Sequence, residues 1–216
     1  MIPFWRKFLS WFYPINIEKV FSEISGELEI NLQYGNIVLD TKTANYSFGN
    51  LHLVFQEAIQ SLNLSKTKEY KVLILGFGAG SIANILINEQ LLNCTITGIE
   101  LDKEITRLSK KYFDNNIYEH TTIVTSDALI FVENNKQQYD LIFIDLFINT
   151  SIPSKFQENN FLLNIKRAQN SEAIVLMNSM MDTEELYQNW EIVFKKLELL
   201  TVQENKVLIH RQFTKH

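Results

Sequence analysis

Lys71-Val72-Leu73-Ile74-Leu75-Gly76-Phe77-Gly78-Ala79-Gly80-Ser81, with Thr97-Gly98-Ile99-Glu100-Leu101-Asp102 further along, decides how this chain is read. An apolar run enters a glycine-rich turn, the turn opens a helix, and a second apolar run ends on an acid. That order belongs to an open, mostly parallel α/β sheet, whose ligands lie outside the carboxyl ends of the strands. Glycines allow the backbone to approach a nucleoside closely, and free N–H groups at the helix start suit a polar or anionic group. A carboxylate ending the next strand can accept hydrogen bonds from both ribose hydroxyls.

The glycine spacing narrows the ligand. Gly76, Gly78 and Gly80 give G-x-G-x-G, whereas a dinucleotide fingerprint wants its third glycine where Ser81 stands. No Gly-Lys-Ser/Thr follows, which excludes a phosphate loop. The shorter pattern resembles the first motif of class I S-adenosylmethionine (AdoMet)-dependent transferases. From residue 71 onward the periodicity predicts strands at 71–76, 95–100, 121–125, 139–145 and 173–178. Helices are predicted at 80–92, 102–113, 127–135, 157–168 and 182–196, and a hairpin over 199–210 closes the chain. The expected fold is α/β, a doubly wound, seven-stranded Rossmann-like sheet of methyltransferase type with a small N-terminal β-hairpin extension. The expected division is an extension over 1–48 and a nucleoside-binding α/β domain over 49–216.

That extension combines two signals. Leu28, Ile30 and Leu32 alternate with polar residues, Gly35-Asn36 marks a turn, and Ile37-Val38-Leu39 resumes the strand, which predicts a hairpin. A further short extended piece near Tyr46 leads into a helix over 50–62. Ahead of the hairpin, Phe4, Trp5, Phe8, Leu9, Trp11 and Phe12 recur at helical spacing around Arg6 and Lys7. The charges rule out a transmembrane span or a normal signal peptide, so a short amphipathic helix ending near Pro14 is expected. Its apolar face is expected to dock on the protein's own body or on a second subunit, giving a homodimer through the N-terminal region. Contact with a membrane surface is the alternative, without stable insertion.

Composition sets the outer limits. The 216 residues suffice for one α/β core plus an extension, and a net charge of −5 gives no basic footprint for nucleic acid. Cys94 is the single cysteine, which excludes a disulfide framework and fits a reducing, cytoplasmic setting. The four histidines show no metal-ligand spacing, so no metal is expected.

Chemistry is expected at the strand ends. Glu100 is placed to bind ribose, and Asp102 to cap the following helix. Asp127 is open to two readings, an acceptor for the adenine amino group or a plain helix cap. Asp145 ends Tyr139-Asp140-Leu141-Ile142-Phe143-Ile144 and is the candidate catalytic carboxylate, while Asp140 at the far end of that strand reads as structural.

From residue 26 onward the chain resembles the spermidine synthase family of polyamine aminopropyltransferases and its methyltransferase-fold relatives. The resemblance rests on Val72–Ser81, Gly98–Asp102, Leu108-Ser109-Lys110-Lys111-Tyr112-Phe113, Ser126-Asp127-Ala128 and Tyr139–Asp145. It implies a ribose-binding role for Glu100, an adenine site at Asp127 with Ala128 beside it, and a catalytic aspartate motif beginning at Asp145. The departures are equally specific. The family loop usually reads Gly-Gly-Gly-Asp-Gly, with its aspartate facing the amine tail of decarboxylated AdoMet, and Ala79 occupies that place. Ile148 stands where the family has a second catalytic aspartate, and Phe48-Gly49-Asn50 where a Tyr-His-Glu run is expected. The loop Ile148–Asn160 carries Lys155 and a single acid, Glu158.

Because a diamine is a dication, and burying its charges unpaired costs several kcal/mol, these losses favour intact AdoMet over its decarboxylated form. The function expected from sequence is therefore an AdoMet-dependent methyltransferase with AdoMet as methyl donor, a small-molecule acceptor other than putrescine, and no synthesis of spermidine at an appreciable rate. The alternatives are aminopropyl transfer with an altered acid set and a non-catalytic nucleoside-binding or scaffold protein.

Overall fold

The structure, a computed structural model, describes residues 3–41, 50–147, 152–180 and 184–212. Its centre is a seven-stranded sheet built from β4 (Glu69–Leu75), β5 (Asn93–Glu100), β6 (Thr121–Thr125), β7 (Tyr139–Ile144), β8 (Gln169–Met180), β9 (Leu197–Val202) and β10 (Asn205–Arg211). The strand order is β6-β5-β4-β7-β8-β10-β9, with β6 through β8 parallel and β10 antiparallel to both of its neighbours.

Alternation along β4 explains why helices cover both faces. Val72 and Ile74 point into one core with Phe143, Leu176 and Ile209, roofed by α2 (Asn50–Ser61) and α3 (Ser81–Asn84). Leu73 and Leu75 point the other way, to Ile142, Val175 and Leu208, beneath α6 (Ala128–Asn134), α7 (Asn159–Arg167) and α8 (Glu184–Val193). A strand buried on both faces reads as an unbroken apolar run, which is how 71–75 reads. Burying each such Leu, Ile or Phe contributes about 1.5–3 kcal/mol, so the two cores dominate the stabilisation.

Two helices depart from the expected outline, and a short turn is added. The predicted helix 80–92 is the four-residue α3 continued by a π-helical turn, Ile85–Glu89. The wider turn lets Ile85, Leu86 and Ile87 all reach the core. The predicted helix 102–113 ends earlier, as α4 (Lys103–Tyr112), and Asp114 then caps a separate α5 (Asn115–Glu119) through the Asn116 N–H at 2.9 Å. A 3-10 turn, Ser154–Phe156, precedes α7.

The N-terminal sheet has three strands rather than two: β1 (Ile15–Ser22), β2 (Gly26–Gln33) and β3 (Asn36–Thr41) form an antiparallel meander. The register shift between Asn16 and Glu18 breaks the alternation of β1, so its sequence lacks a clean period of two. The β2–β3 turn is Tyr34-Gly35, both with positive φ, so the turn lies one residue before the predicted pair. Leu28, Ile30 and Leu39 pack on Ile105 and Leu108 of α4, and on Ala79 of the glycine loop. Glu18 accepts hydrogen bonds from Lys111 at 2.6 Å, from Arg107 at 3.2 Å and from the Tyr112 hydroxyl, and the Ser22 hydroxyl donates to Asp102. The small sheet therefore rests on the carboxyl edge of the large one.

Ahead of it, α1 (Phe4–Leu9) buries none of its side chains. The segment meets the protein's own body only in part: Ser10 and Trp11 contact the β2–β3 turn, while the rings of α1 itself face outward. No helix among the described residues is long and apolar enough to cross a membrane. The extended piece expected near Tyr46 lies outside the described residues.

The Glu18 cluster has a pH signature. Hydrogen bonds from Lys111 and Tyr112, aided by Arg107, hold the Glu18 carboxyl down to about 2, against 4.5 for a free glutamate. A depressed carboxylate contributes stability that is present above the unfolded value and lost as pH falls toward the folded one. Chemical denaturation at a series of pH values should show the wild type losing this contribution between pH 4.5 and about 2. Glu18→Gln should lack that portion of the pH dependence.

Candidate active site

Gly76 occupies the point where the sheet changes its direction of winding. The chain leaves β4 toward β5 on one side, and β7 returns on the other, so a crevice opens between the carboxyl ends of β4 and β7. Gly76 has φ +84°, and a Cβ on it would collide with the carbonyl oxygen of Asp145. Asp145 N–H donates to the Leu75 carbonyl at 2.9 Å, which locks the two backbones together. Gly80 has φ +87°, and a Cβ there would come within 2.6 Å of the Ile117 side chain. Ser81 follows and begins α3, with its hydroxyl 2.6 Å from His52 Nδ1.

Glu100 is 7% exposed and lies in a cradle of main-chain donors. Gly78 N–H donates to Oε2 at 2.8 Å and Asp102 N–H to Oε1 at 2.9 Å. Burial raises its pKa, and these two backbone hydrogen bonds offset part of the rise. A third main-chain hydrogen bond, from Leu101, also reaches the carboxylate, and an ionised carboxylate, with about four lone-pair sites, can accept further hydrogen bonds from hydroxyl groups. Asp102 caps α4 through the Glu104 N–H at 2.8 Å.

Asp127 caps α6 through the Leu129 N–H at 2.8 Å, and its other oxygen pairs with Lys155 at 2.5 Å. Burial pushes its pKa upward, but Lys155 and the Leu129 N–H outweigh burial and hold the carboxyl below its usual range. Ala128, the first residue of α6, packs into the core with Leu75 and Ile99. Sequence reasoning placed Lys155 in a loop and missed this pairing, because nothing local connects residues 127 and 155.

Asp145 follows β7, and its Oδ1 accepts a hydrogen bond from Asn178 at 3.3 Å. Burial raises its pKa to about 6, with Asn178 pulling the other way. Asn178 is wholly buried on β8 and was not singled out from sequence. Its signal is a lone amide after the apolar run Ala173–Met177. The large sheet thus sets Asp127, Glu100, Gly76 and Asp145 at the carboxyl ends of four adjacent strands, β6, β5, β4 and β7. Cys94 is buried in the core, where burial pushes its thiol up to about 12, and Asp140 is held at the opposite edge by the Lys71 N–H.

Ala79 is 3% exposed and packs among Leu28, Ile30, Leu39, Ile105 and Leu108. Ile148, and Phe48-Gly49 of the Tyr-His-Glu place, lie outside the described residues, and Asn50 begins α2.

A glycine loop, a cradled acid and strand-end carboxylates on this sheet order define the class: a spermidine-synthase-like protein of class I methyltransferase-like fold. Residues 52–213 match the spermine/spermidine synthase domain, and the chain belongs to that family. A polyamine aminopropyltransferase of Vibrio vulnificus is 25% identical over 137 residues, covering 62% of this chain and 45% of that protein. The chain thus spans about half the length of curated relatives it matches. A spermidine synthase solved in complex with the transition-state analogue AdoDATO superposes with a TM-score of 0.72 at 15% identity, covering 91% of this chain and 73% of that one. Human methyltransferase-like protein 13 in complex with SAH gives 0.63 at 16% identity, covering 77% and 83%. At such identities the two structures speak for the fold alone, and they share it.

The sequence relatives discriminate where the fold does not. The family match and the curated aminopropyltransferases overturn the expectation of an AdoMet-dependent methyltransferase, and with it AdoMet as methyl donor. That expectation leans on Ala79 as a missing charge at the donor tail. Ala79 is buried in an apolar cluster with side chains of β2, β3 and α4, so a carboxylate placed there would lose solvation.

The crowding at Gly76 is testable by substitution. Gly76→Ala combines an unfavourable φ with a clash against backbone that cannot swing aside, so the variant should lose about 2 kcal/mol or more of stability. Urea denaturation followed by circular dichroism measures it. A midpoint equal to wild type would mean that the β4 and β7 ends are not pressed together.

Proposed function

We propose that this protein is an aminopropyltransferase, moving the aminopropyl arm of decarboxylated AdoMet onto a small amine of the polyamine class. The observation that carries this reading is the family match over 52–213, which includes all three strand-end carboxylates. In this proposal Glu100 accepts the ribose hydroxyls, the Gly76–Gly80 loop lets the nucleoside approach the backbone, and Asp127, with Ala128 beside it, meets the adenine amino group. Asp145 performs the proton chemistry. The amine nitrogen attacks the methylene carbon attached to the sulfonium. A C–N bond forms, the C–S bond breaks, and its electron pair returns to sulfur, leaving a neutral thioether. The proton that the amine must shed passes to Asp145. A carboxylate whose pKa is raised to about 6 is still ionised at neutral pH, yet is a better base than a free aspartate. Asn178 holds one oxygen and leaves the other for the acceptor.

The test is incubation with decarboxylated AdoMet and a panel of amines that includes putrescine, followed by mass spectrometry. The expected result is an aminopropylated amine together with methylthioadenosine, at a rate that rises with pH as Asp145 ionises near 6. Asp145→Asn should lower turnover by about 10²–10⁴-fold. Glu100→Ala should weaken donor binding by roughly 1.5–3 kcal/mol. Donor binding without any aminopropylated product, across the whole panel, would overturn the assignment.

The extension over 1–48 acts in this reading as an adjunct to the α/β domain over 49–216. β1 and β3 are the outer strands of the small sheet, and each has an open edge among the described residues. Open edges favour pairing, so we infer a homodimer through this sheet. Sedimentation equilibrium at micromolar concentration should return twice the chain mass, and a strictly monomeric mass counts against the inference.

A further inference from the structure

We propose that residues 4–13 form a docking surface for the interface of an anionic lipid bilayer. Phe4, Trp5, Phe8, Trp11, Phe12 and Tyr13 all face outward, with Phe4 at 84% and Phe12 at 72% exposure. This is not a loose tail. Tyr34 N–H donates to the Ser10 carbonyl at 2.9 Å, Gly35 N–H to Ser10 Oγ at 2.8 Å, and Ser10 Oγ in turn to the Lys7 carbonyl at 2.6 Å. The Trp11 and Tyr34 rings meet edge to face at 5.9 Å. Polar ties to the β2–β3 turn fix the segment while its rings stay outside. An apolar patch held in that way is a feature of the surface, and large exposed patches mark interaction sites.

Charge identifies the occupant. Arg6 and Lys7 are the only charged residues between positions 3 and 17, in a protein whose net charge is −5. The first acid in the sequence, Glu18, is engaged by Lys111, Arg107 and Tyr112. Among the described residues neither Arg6 nor Lys7 is ion-paired with an acid, so the two cations complement an anionic surface, whereas a second copy of the same segment would bring like charges together. The ring chemistry agrees: Trp, Tyr and Phe rather than Leu or Ile suit the headgroup boundary, where one edge is apolar and the other wet. A six-residue helix is far too short to span a bilayer, so the contact is peripheral.

The full chain is mixed with phosphatidylcholine vesicles, with and without phosphatidylglycerol, and sedimented. Binding to the anionic vesicles is expected to exceed binding to the neutral ones by about tenfold and to fall with salt. Tryptophan emission should shift to the blue. Of the three tryptophans Trp190 is 0% exposed, so the shift reports Trp5 and Trp11. The double variants Trp5→Ser with Phe8→Ser, and Arg6→Glu with Lys7→Glu, should each reduce binding on the order of tenfold. Their thermal midpoints should match wild type, since these side chains are not buried. No binding to anionic vesicles overturns the proposal. So does an aromatic variant that binds vesicles as wild type does but dissociates a dimer, which would make a second copy the occupant.

Discussion

The contact between Gly76 and the carbonyl of Asp145 is the constraint from which the rest of the site follows. Two parallel strands that part company at a winding reversal leave a crevice, and here their ends are pressed together so closely that no side chain fits between them. The contact places the glycine loop beside the carboxylate that ends β7. Moving either would displace both the glycine loop and the Asp145 carboxylate. A change of one methyl group at Gly76 therefore bears on geometry across the whole crevice.

Around that point the carboxylates are differentiated by surroundings rather than by residue type. Glu100 is desolvated yet held by two main-chain donors. Asp127 is tied to a cation and a helix start. Asp145 has one side-chain partner among the described residues, the Asn178 amide, and burial raises its pKa to about 6. Pairs of titratable groups pushed apart by environment divide the labour of binding and proton transfer. The group with the least compensation is the one suited to carry a proton.

Much of this was legible in the sequence because it is written in local patterns. The run Val72–Leu75, the glycine spacing and the acid ending Thr97–Glu100 are contiguous signals, and each led to its place in the sheet. What escaped was either non-local or locally irregular. Lys155 meets Asp127 across 28 positions, and Asn178 meets Asp145 across 33. β1 hid behind a bulge, and α3 gave way to a π-helical turn that no simple period describes. Ala79 was read by motif position, and its surroundings are set by a sheet forty or more residues upstream in sequence (Leu28, Ile30 and Leu39 supply it). A motif says which residue stands at a place, and only packing says what that place faces.

The hydrogen bond from Ser22 to Asp102 has a reach beyond its size. Asp102 takes the Ser22 hydroxyl on one oxygen and the α4 N-terminus on the other, while its own N–H serves Glu100. Peeling the small sheet away would therefore strip a buried carboxylate of one partner, loosen the first turn of α4 and slacken one arm of the Glu100 cradle in a single event. Regions joined in this way open together as one cooperative unit, not separately. Slow hydrogen exchange in β1 and in the first turn of α4 would then share one opening free energy, so that the small sheet becomes a gauge of how firmly Glu100 is held.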